Sequence, residues 1–250
     1  MESNIQDILN AKAQIARGLL KSPFGLRLLM FWKSFKSIPV RRNAIGNNSY
    51  VAKTVRVMGW NRLKIGNFTV VCDDTWFIPN HEHSSIRIGN HCCIGTRNFF
   101  TSGDRIILGN FTLTAVGCSF LGAHHDYSNP WTAQIAMPVT KDGVIEVGVN
   151  CFIGAGTIIL ADSKIGHGSI IGAGSVIRGN IPPFSVVVGN PGRVVKRFDP
   201  TQSAWVKANE FRTEHEDQLP DENNYQLELE KKFPTLQTFP GFASRHYGNI

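Results

Sequence analysis

Residues 147–182 read VGVNCF IGAGTI ILADSK IGHGSI IGAGSV IRGNIP when divided into sixes. An aliphatic residue opens each group, at Val147, Ile153, Ile159, Ile165, Ile171 and Ile177. Glycine follows at 148, 154, 166 and 172, and the fifth place is small at Cys151, Thr157, Ser163, Ser169 and Ser175. A period of six fits neither the 3.6 of a helix nor the 2 of a flat strand. It fits a parallel β-helix, in which short strands alternate with turns and each coil stacks on the last. Three sixes make one triangular coil, so 147–164 and 165–182 are two coils.

Working outward, the same period begins near Ile45 and continues through IGNFTV at 65, IGNHCC at 88, IGTRNF at 94, LGNFTL at 108 and TAVGCS at 114. It slips by two residues before 65 and again before 108, which a corner can absorb. Residues 71–87 are irregular and carry Asp73, Asp74, Pro79, His81 and His83. The repeat stops at 122–146, GAHHDYSNPWTAQIAMPVTKDGVIE. A loop of that length inside a compact repeat is usually functional or disordered; its Trp and short apolar pieces favour an ordered projection. The chain thus falls into three segments: 1–43, 44–198 with the projecting loop, and 199–250. In the first, Ser3 with Gln6 forms a capping box, and two helices are expected, the second with Phe24, Leu28, Phe31, Trp32 and Phe35 on one face. In the last, Asp199 is read as the cap of a helix running to about Leu219, and DENNYQLELEKKF as a second, charged helix. His167, at a turn place, is expected to face solvent.

The composition sets bounds. The chain has 250 residues, 42% hydrophobic and 18% charged, enough to bury a core. The net charge of +7 is uneven: residues 1–45 carry eight Lys/Arg against Glu2 and Asp7, and the remainder is near neutral. Nucleic-acid binding by the main body is therefore not implied. The basic segment either packs on the open end of the coil or lies against an anionic membrane. The five cysteines form no CxxC, and three of them, Cys92, Cys118 and Cys151, fall at fifth places, which reads as packed free thiols. The opening MESNIQDILN lacks a signal-peptide core, and the expected location is cytoplasmic, with a peripheral contact at the inner membrane through residues 1–40.

The hexads, IGAGSV, the ending IPPFSVVVGNPGRVVK and the His-bearing loop resemble the hexapeptide-repeat acyltransferases, over roughly residues 45–197. The resemblance is to the galactoside, maltose and xenobiotic O-acetyltransferases and to relatives that acetylate bacterial surface saccharides. It implies a left-handed coil, a homotrimer, and acetyl-CoA in the groove between neighbouring coils, with no metal. It also implies one loop histidine as general base: His125 by the spacing of the galactoside and xenobiotic enzymes, with His124 left open because the two are adjacent here. An imidazole with a pKa near 6.5 suits the task, since a sugar hydroxyl must lose its proton as it attacks the thioester. By position, Gly154, Ala155 and Ala173 would border the pantetheine arm, and Arg178, Arg193 and Lys196 would meet the phosphates and adenosine. Phe152 stands where the family usually has Trp. Asn98 and Asp104 are acceptor-side candidates, with Asp73 and Asp74 behind them. The expected activity is transfer of acetyl to a hydroxyl of a saccharide, free or lipid-linked, in surface-polysaccharide synthesis.

Three other readings stay in view. An amine of a nucleotide-linked amino sugar, a serine or an antibiotic could replace the hydroxyl with the same base. A zinc enzyme of the γ-carbonic anhydrase type would need three convergent imidazoles among His81, His83, His91, His124 and His125. A non-enzymatic coil would have no reason to interrupt itself with 25 residues carrying paired histidines.

Overall fold

A computed structural model describes residues 41–235. The two helices read in residues 1–40, and the last residues from 236 on, lie outside the described residues. The chain divides into two compact units, residues 1–43 and 44–250. Among the described residues every strand belongs to the second unit.

Short parallel strands wind around three faces. On the first face Tyr50–Val51, Val70–Val71, Cys93–Ile94, Leu113–Thr114, Phe152–Ile153, Ile170–Ile171 and Ser185–Val188 stack in that order. The second face carries Arg56–Val57, Trp76–Pro79, Phe99–Ser102, Ser119–Leu121 and the first halves of Ile158–Ile165 and Val176–Ile181. The third carries Leu63–Ile65, Ser85–Ile88, Arg105–Leu108, Val144–Val147 and the second halves of those two long strands. Asp162, with φ 61, bends the first of the long strands from one face to the next. The architecture is mainly β, a parallel coil of hexapeptide repeats, consistent with the left-handed β-helix that the resemblance implied.

The opening residue of each hexad points inward. Ile153, Ile159, Ile165, Ile171 and Ile177 are buried, each contributing about 1.5–3 kcal/mol. In the earlier coils the second face is filled instead by Phe77, Phe100 and Phe120, fully buried and stacked at 4.8 and 4.4 Å between ring centroids. The fifth places are pins between coils. Thr69 Oγ1 donates to Gly89 O at 2.8 Å, Thr75 Oγ1 to Gly95 O at 3.0 Å and Thr112 Oγ1 to Gly148 O at 3.0 Å. The thiols of Cys92, Cys118 and Cys151 reach the carbonyls of Gly109, Gly154 and Gly166 at 3.2, 3.3 and 3.3 Å in the same way. Burial pushes these thiols up to about 12, about 11 and about 12. His167 occupies a turn but does not face solvent: it is buried, donates Nε2–H to Pro220 O at 3.0 Å and meets Phe184 edge-on.

The irregularities of the repeat share one address. Between second-face Val57 and third-face Ile65, Phe77 and Ile88, Phe100 and Leu108, and Phe120 and Val147, the step exceeds six; between Ile159 and Ile165 it is six. The two-residue slips, the irregular stretch and the long loop are thus insertions into the corner joining the second and third faces.

The C-terminal part differs from its sequence reading. Arg193–Asp199 pairs antiparallel with Ser185–Val188, and Ala204–Lys207 pairs antiparallel with Arg193–Asp199. Asp199 does not cap a helix. Its carboxylate accepts from the Thr201 hydroxyl at 2.7 Å, Thr201 N at 2.9 Å and Gln202 Nε2 at 2.9 Å, and faces His215 Nδ1 at 3.1 Å, which turns the chain into a hairpin. A 3-10 turn, Thr213–Gln218, comes next, and then the charged helix α1, Glu222–Lys232, capped by Asp221 accepting from Asn224 N at 2.9 Å. Glu222 Oε1 accepts from Val149 N at 2.8 Å, so α1 is tied to the coil.

A Cβ on Gly154 would lie 2.5 Å from Ala173 N and 2.7 Å from Ile171 O, both backbone atoms of the next coil. Gly154→Ala should therefore cost about 1–3 kcal/mol and lower Tm in a thermal melt. The hydrogen bonds to Asp199, the Thr201 hydroxyl first, hold its carboxyl well below the usual range. A depressed folded value means the stabilisation is present above the unfolded value of about 3.9 and is lost as pH falls through the folded one. The Tm gap between the protein and Asp199→Asn should be constant near neutrality and shrink only below about pH 4.

Candidate active site

The interruption at 122–143 is a hairpin standing on the corner between the second and third faces. Its stalk is pinched by glycines. A Cβ on Gly103 would lie 2.5 Å from Gly122 O, and one on Gly143 would strike the same oxygen. Gly122 N donates to Thr101 O at 2.7 Å, and Asp104 N donates to Gly143 O at 3.0 Å. Above the stalk the two limbs run antiparallel, with His125 bridged to Val139. Asp126 N donates to Pro138 O at 2.8 Å and Thr140 N to His124 O at 2.7 Å. His124 N donates to Thr140 Oγ1 at 3.1 Å. At the turn, Ser128 N donates to Asp126 Oδ1 at 2.8 Å, which lowers the carboxyl of Asp126 below its ordinary value. The tip carries Trp131 and Ile135, 95% and 93% exposed.

Both histidines of the pair are exposed. His125 Nδ1 lies 2.9 Å from Met137 O, on the opposite limb. A carbonyl can only accept, so Nδ1 carries the proton and Nε2 is left with its lone pair. His124 Nδ1 faces the carbonyl of its own neighbour, His125 O, at 2.8 Å and leaves the same nitrogen free. The two differ in anchoring. The partner of His125 is fixed across the hairpin, whereas His124 bonds along the chain and leans on the exposed ring of Tyr127 at 5.5 Å.

The acceptor-side candidates divide. Asp104 sits at the root of the hairpin, where Arg105 bonds it at 2.8 Å and Glu146 at 2.9 Å. The two carboxylates raise the Arg105 guanidinium, Glu146 foremost. Asn98 does not stand beside the hairpin. It is a buried fifth-place residue at the corner between the first and second faces, with Nδ2 donating to Gly95 O and Ala115 O, both at 2.8 Å. It does for its coil what threonine does for the others, and an acceptor role does not follow from that position. Asp73 lies at that corner too, accepting from Thr54 Oγ1 at 2.9 Å, and Asp74 turns there with φ 56.

Gly154, Ala155 and Ala173 line that same corner between the first and second faces, one coil above the other, with Gly174 N donating to Ala155 O at 2.8 Å. Gly154 is shut against the next coil, while Ala173 is exposed. Arg178, Arg193 and Lys196 are exposed, and Arg193 pairs with Val188 at the end of the first face. The single chain therefore brings the histidine hairpin to one corner and the small-residue ladder with Arg193 to another, on either side of the second face. The outward residues of that face include Trp76, Phe99, Leu121, Ile158 and Leu160.

Sequence reasoning names His81 only in an irregular stretch and as a metal-ligand candidate, not as a partner of the hairpin. Its Nε2 donates to Thr140 O at 3.0 Å, placing the irregular stretch directly against the hairpin. The signal was present in the repeat: both segments break the period at the same place in their coils. His91, by contrast, stacks between Phe68 and Phe111 at 5.1 and 4.8 Å on the corner between the third and first faces, away from the hairpin. Among the described residues no group of three or more His, Cys, Asp or Glu could hold a metal.

Comparison with known proteins finds the resemblance again. Residues 145–179 match the family model described as bacterial transferase hexapeptide (six repeats). A Staphylococcus aureus (strain COL) protein named "Putative acetyltransferase SACOL2570" is 33% identical over 115 residues, 46% of this chain and 56% of the relative. An Escherichia coli (strain K12) protein named "Putative lipopolysaccharide biosynthesis O-acetyl transferase WbbJ" is 26% identical over 111 residues, 42% of this chain and 57% of the relative. The match spans just over half the length of these relatives. AntD, an N-acyltransferase from Bacillus cereus solved with dTDP and 3-hydroxybutyryl-CoA, superposes with a TM-score of 0.54 at 20% identity, over 76% of this chain and 88% of that one. At that identity the likeness is one of fold. Among the described residues no helix is long and apolar enough to cross a membrane.

Proposed function

We propose that the protein transfers an acetyl group from acetyl-CoA to a hydroxyl of a saccharide, with His125 as general base. The observation that carries this is the His125 imidazole: exposed, anchored through Nδ1–H to Met137 O at 2.9 Å, and with Nε2 free to take a proton. With both substrates bound together, Nε2 accepts the hydroxyl proton as that oxygen attacks the thioester carbonyl. The tetrahedral centre then expels the CoA thiolate, which takes the proton back from the imidazolium. No acyl-enzyme is required. His124 has the same free nitrogen on a looser anchor and is the secondary candidate.

The co-substrate reading rests on the corner ladder of Gly154, Ala155 and Ala173, with Arg178, Arg193 and Lys196 supplying cationic partners for phosphate. Because hairpin and ladder stand at different corners, a neighbouring copy is the natural means of joining them. The apolar second face and the exposed Trp131 and Ile135 support a homotrimer of the kind the resemblance implies. Surface-saccharide synthesis as the setting is supported by the name of the E. coli relative. An amine acceptor is the second reading, favoured by the N-acyltransferase among the fold neighbours; the same imidazole would serve it.

The test is a panel of sugars and amino sugars with acetyl-CoA, following release of free thiol. His125→Ala should lower kcat by about 10²–10⁴-fold, and His124→Ala by much less. Full activity in His125→Ala, or a larger loss in His124→Ala, would refute the assignment. Arg193→Ala and Lys196→Ala should raise KM for acetyl-CoA and leave kcat nearly unchanged.

The basic segment 1–40 is assigned a second task, bringing the protein to lipid-linked acceptors at an anionic leaflet. Removal of residues 1–40 should reduce co-sedimentation with phosphatidylglycerol vesicles and leave turnover of a free sugar intact. Unchanged sedimentation would dismiss this task.

A further inference from the structure

Three successive insertions at the corner between the second and third faces hold one another. From the first coil, Arg62 Nη1 donates to His81 O at 2.5 Å. Within the second, His81 N donates to Ser84 Oγ at 3.0 Å, and Ser84 Oγ donates in turn to Gly103 O. The neighbouring Asn80 uses Nδ2 on Thr101 Oγ1 at 2.7 Å and Ser102 O at 3.0 Å. The backbone that presents His81 is thus tied to the coil below and the coil above. Its ring stacks on His83 at 5.7 Å, nearly parallel at 9°, and makes one hydrogen bond, Nε2–H to Thr140 O at 3.0 Å.

Thr140 is the residue that grips the histidine limb. Its N–H donates to His124 O at 2.7 Å and its hydroxyl oxygen accepts from His124 N at 3.1 Å, one residue before His125. The His81–Thr140 hydrogen bond joins the hairpin above its stalk to the remainder of the coil. It adds to the pinched stalk a second tie higher on the hairpin, whose limbs keep their own pairing with or without it.

We propose that His81 is a positioning residue for the transfer reaction: through Thr140 O it fixes the hairpin, and with it the Nε2 of His125, at one place over the corner. The proposal rests on the reading of His125 as the base. The clamp needs only an N–H at Nε2, which neutral and protonated imidazole both offer, so it persists as pH falls. The proton acceptor in the reaction remains His125. His81 therefore sets how often the base is in place, not the pH at which it works. A misplacement of about 1 Å can cost on the order of 10²-fold in rate.

The experiment compares the full chain with His81→Ala and His81→Gln, whose side-chain amide can place a donor where Nε2 was. Three readouts are taken: kcat and KM for acetyl-CoA, the pH–rate profile, and hydrogen exchange at the amides of His124, Asp126 and Thr140. His81→Ala is expected to lower kcat by about 10–100-fold, leave KM for acetyl-CoA unchanged, keep the acid limb of the profile where it was and speed exchange in the hairpin. His81→Gln should recover most of the rate and the protection. Wild-type kcat and exchange in His81→Ala would overturn the proposal. So would an acid limb that vanishes in both variants, which would make His81 the proton acceptor itself, or a Gln variant that folds and is as impaired as Ala. Were His125→Ala to keep its activity, the base assignment would fall, while the exchange data would still decide whether the clamp exists.

Discussion

Parallel strands stacked by backbone hydrogen bonds stand about 4.8 Å apart, and every corner of this coil has to fit within that spacing. The constraint explains where side chains are allowed. At the corner between the first and second faces Gly154 has backbone of the next coil where its Cβ would be, so no larger residue fits without parting the coils. At the fifth places a short hydroxyl, thiol or amide can reach the carbonyl of the neighbouring turn, and threonine, serine, cysteine and Asn98 all do so. At the corner between the third and first faces Phe68, His91 and Phe111 adopt left-handed φ values of 55, 56 and 61, and their rings stack coil upon coil. Each of these is a different answer to the same fixed rise.

Only the remaining corner is loose. All insertions collect there, from the short turn ending at Arg62 to the full hairpin, and there side chains of one insertion reach backbone carbonyls of the next. A rigid wall on two corners and adjustable segments on the third is a division of labour that suits a transferase. On the proposed function, the part that would accommodate a common co-substrate is dictated by the repeat, and the part that would meet a variable acceptor is exempt from it.

The sequence exposes the first half of that division well. Hexads at 147–182 establish the coil because the inward aliphatic and the small fifth residue follow directly from packing, and the same logic extends back to Ile45 despite the slips. The charged helix after Asp221 is legible through its cap. Asp199 misleads because an aspartate before a polar run suits a helix cap and a hairpin turn alike; Trp205 and Val206, pairing with Phe198 and Arg197, decide for the hairpin, and that pairing is not written in local propensity. Asn98 misleads for a related reason. Polarity suggests a cleft, whereas in this chain the amide is buried with its nitrogen on two carbonyls. The histidine pair is located by the break in the repeat, whereas the tautomer of His125 depends on Met137 O, twelve residues away in the chain. His81 is visible as part of an irregularity and as one of several imidazoles, but not as a partner of the hairpin. That it faces the hairpin becomes apparent once both interruptions are known to occupy one corner.

The cysteine pins carry a practical meaning for anyone handling this protein. Cys92, Cys118 and Cys151 lie in three different coils, each sealed by burial and each holding a carbonyl of the neighbouring turn. In the folded coil they are silent toward thiol reagents, because the attacking species is the thiolate and burial suppresses it. An assay that counts liberated CoA therefore runs against little background from these side chains. Conversely, each becomes reactive when its own pair of coils parts. Pulsed alkylation read by mass spectrometry would then give three timers at successive heights, showing from which end the spiral unwinds.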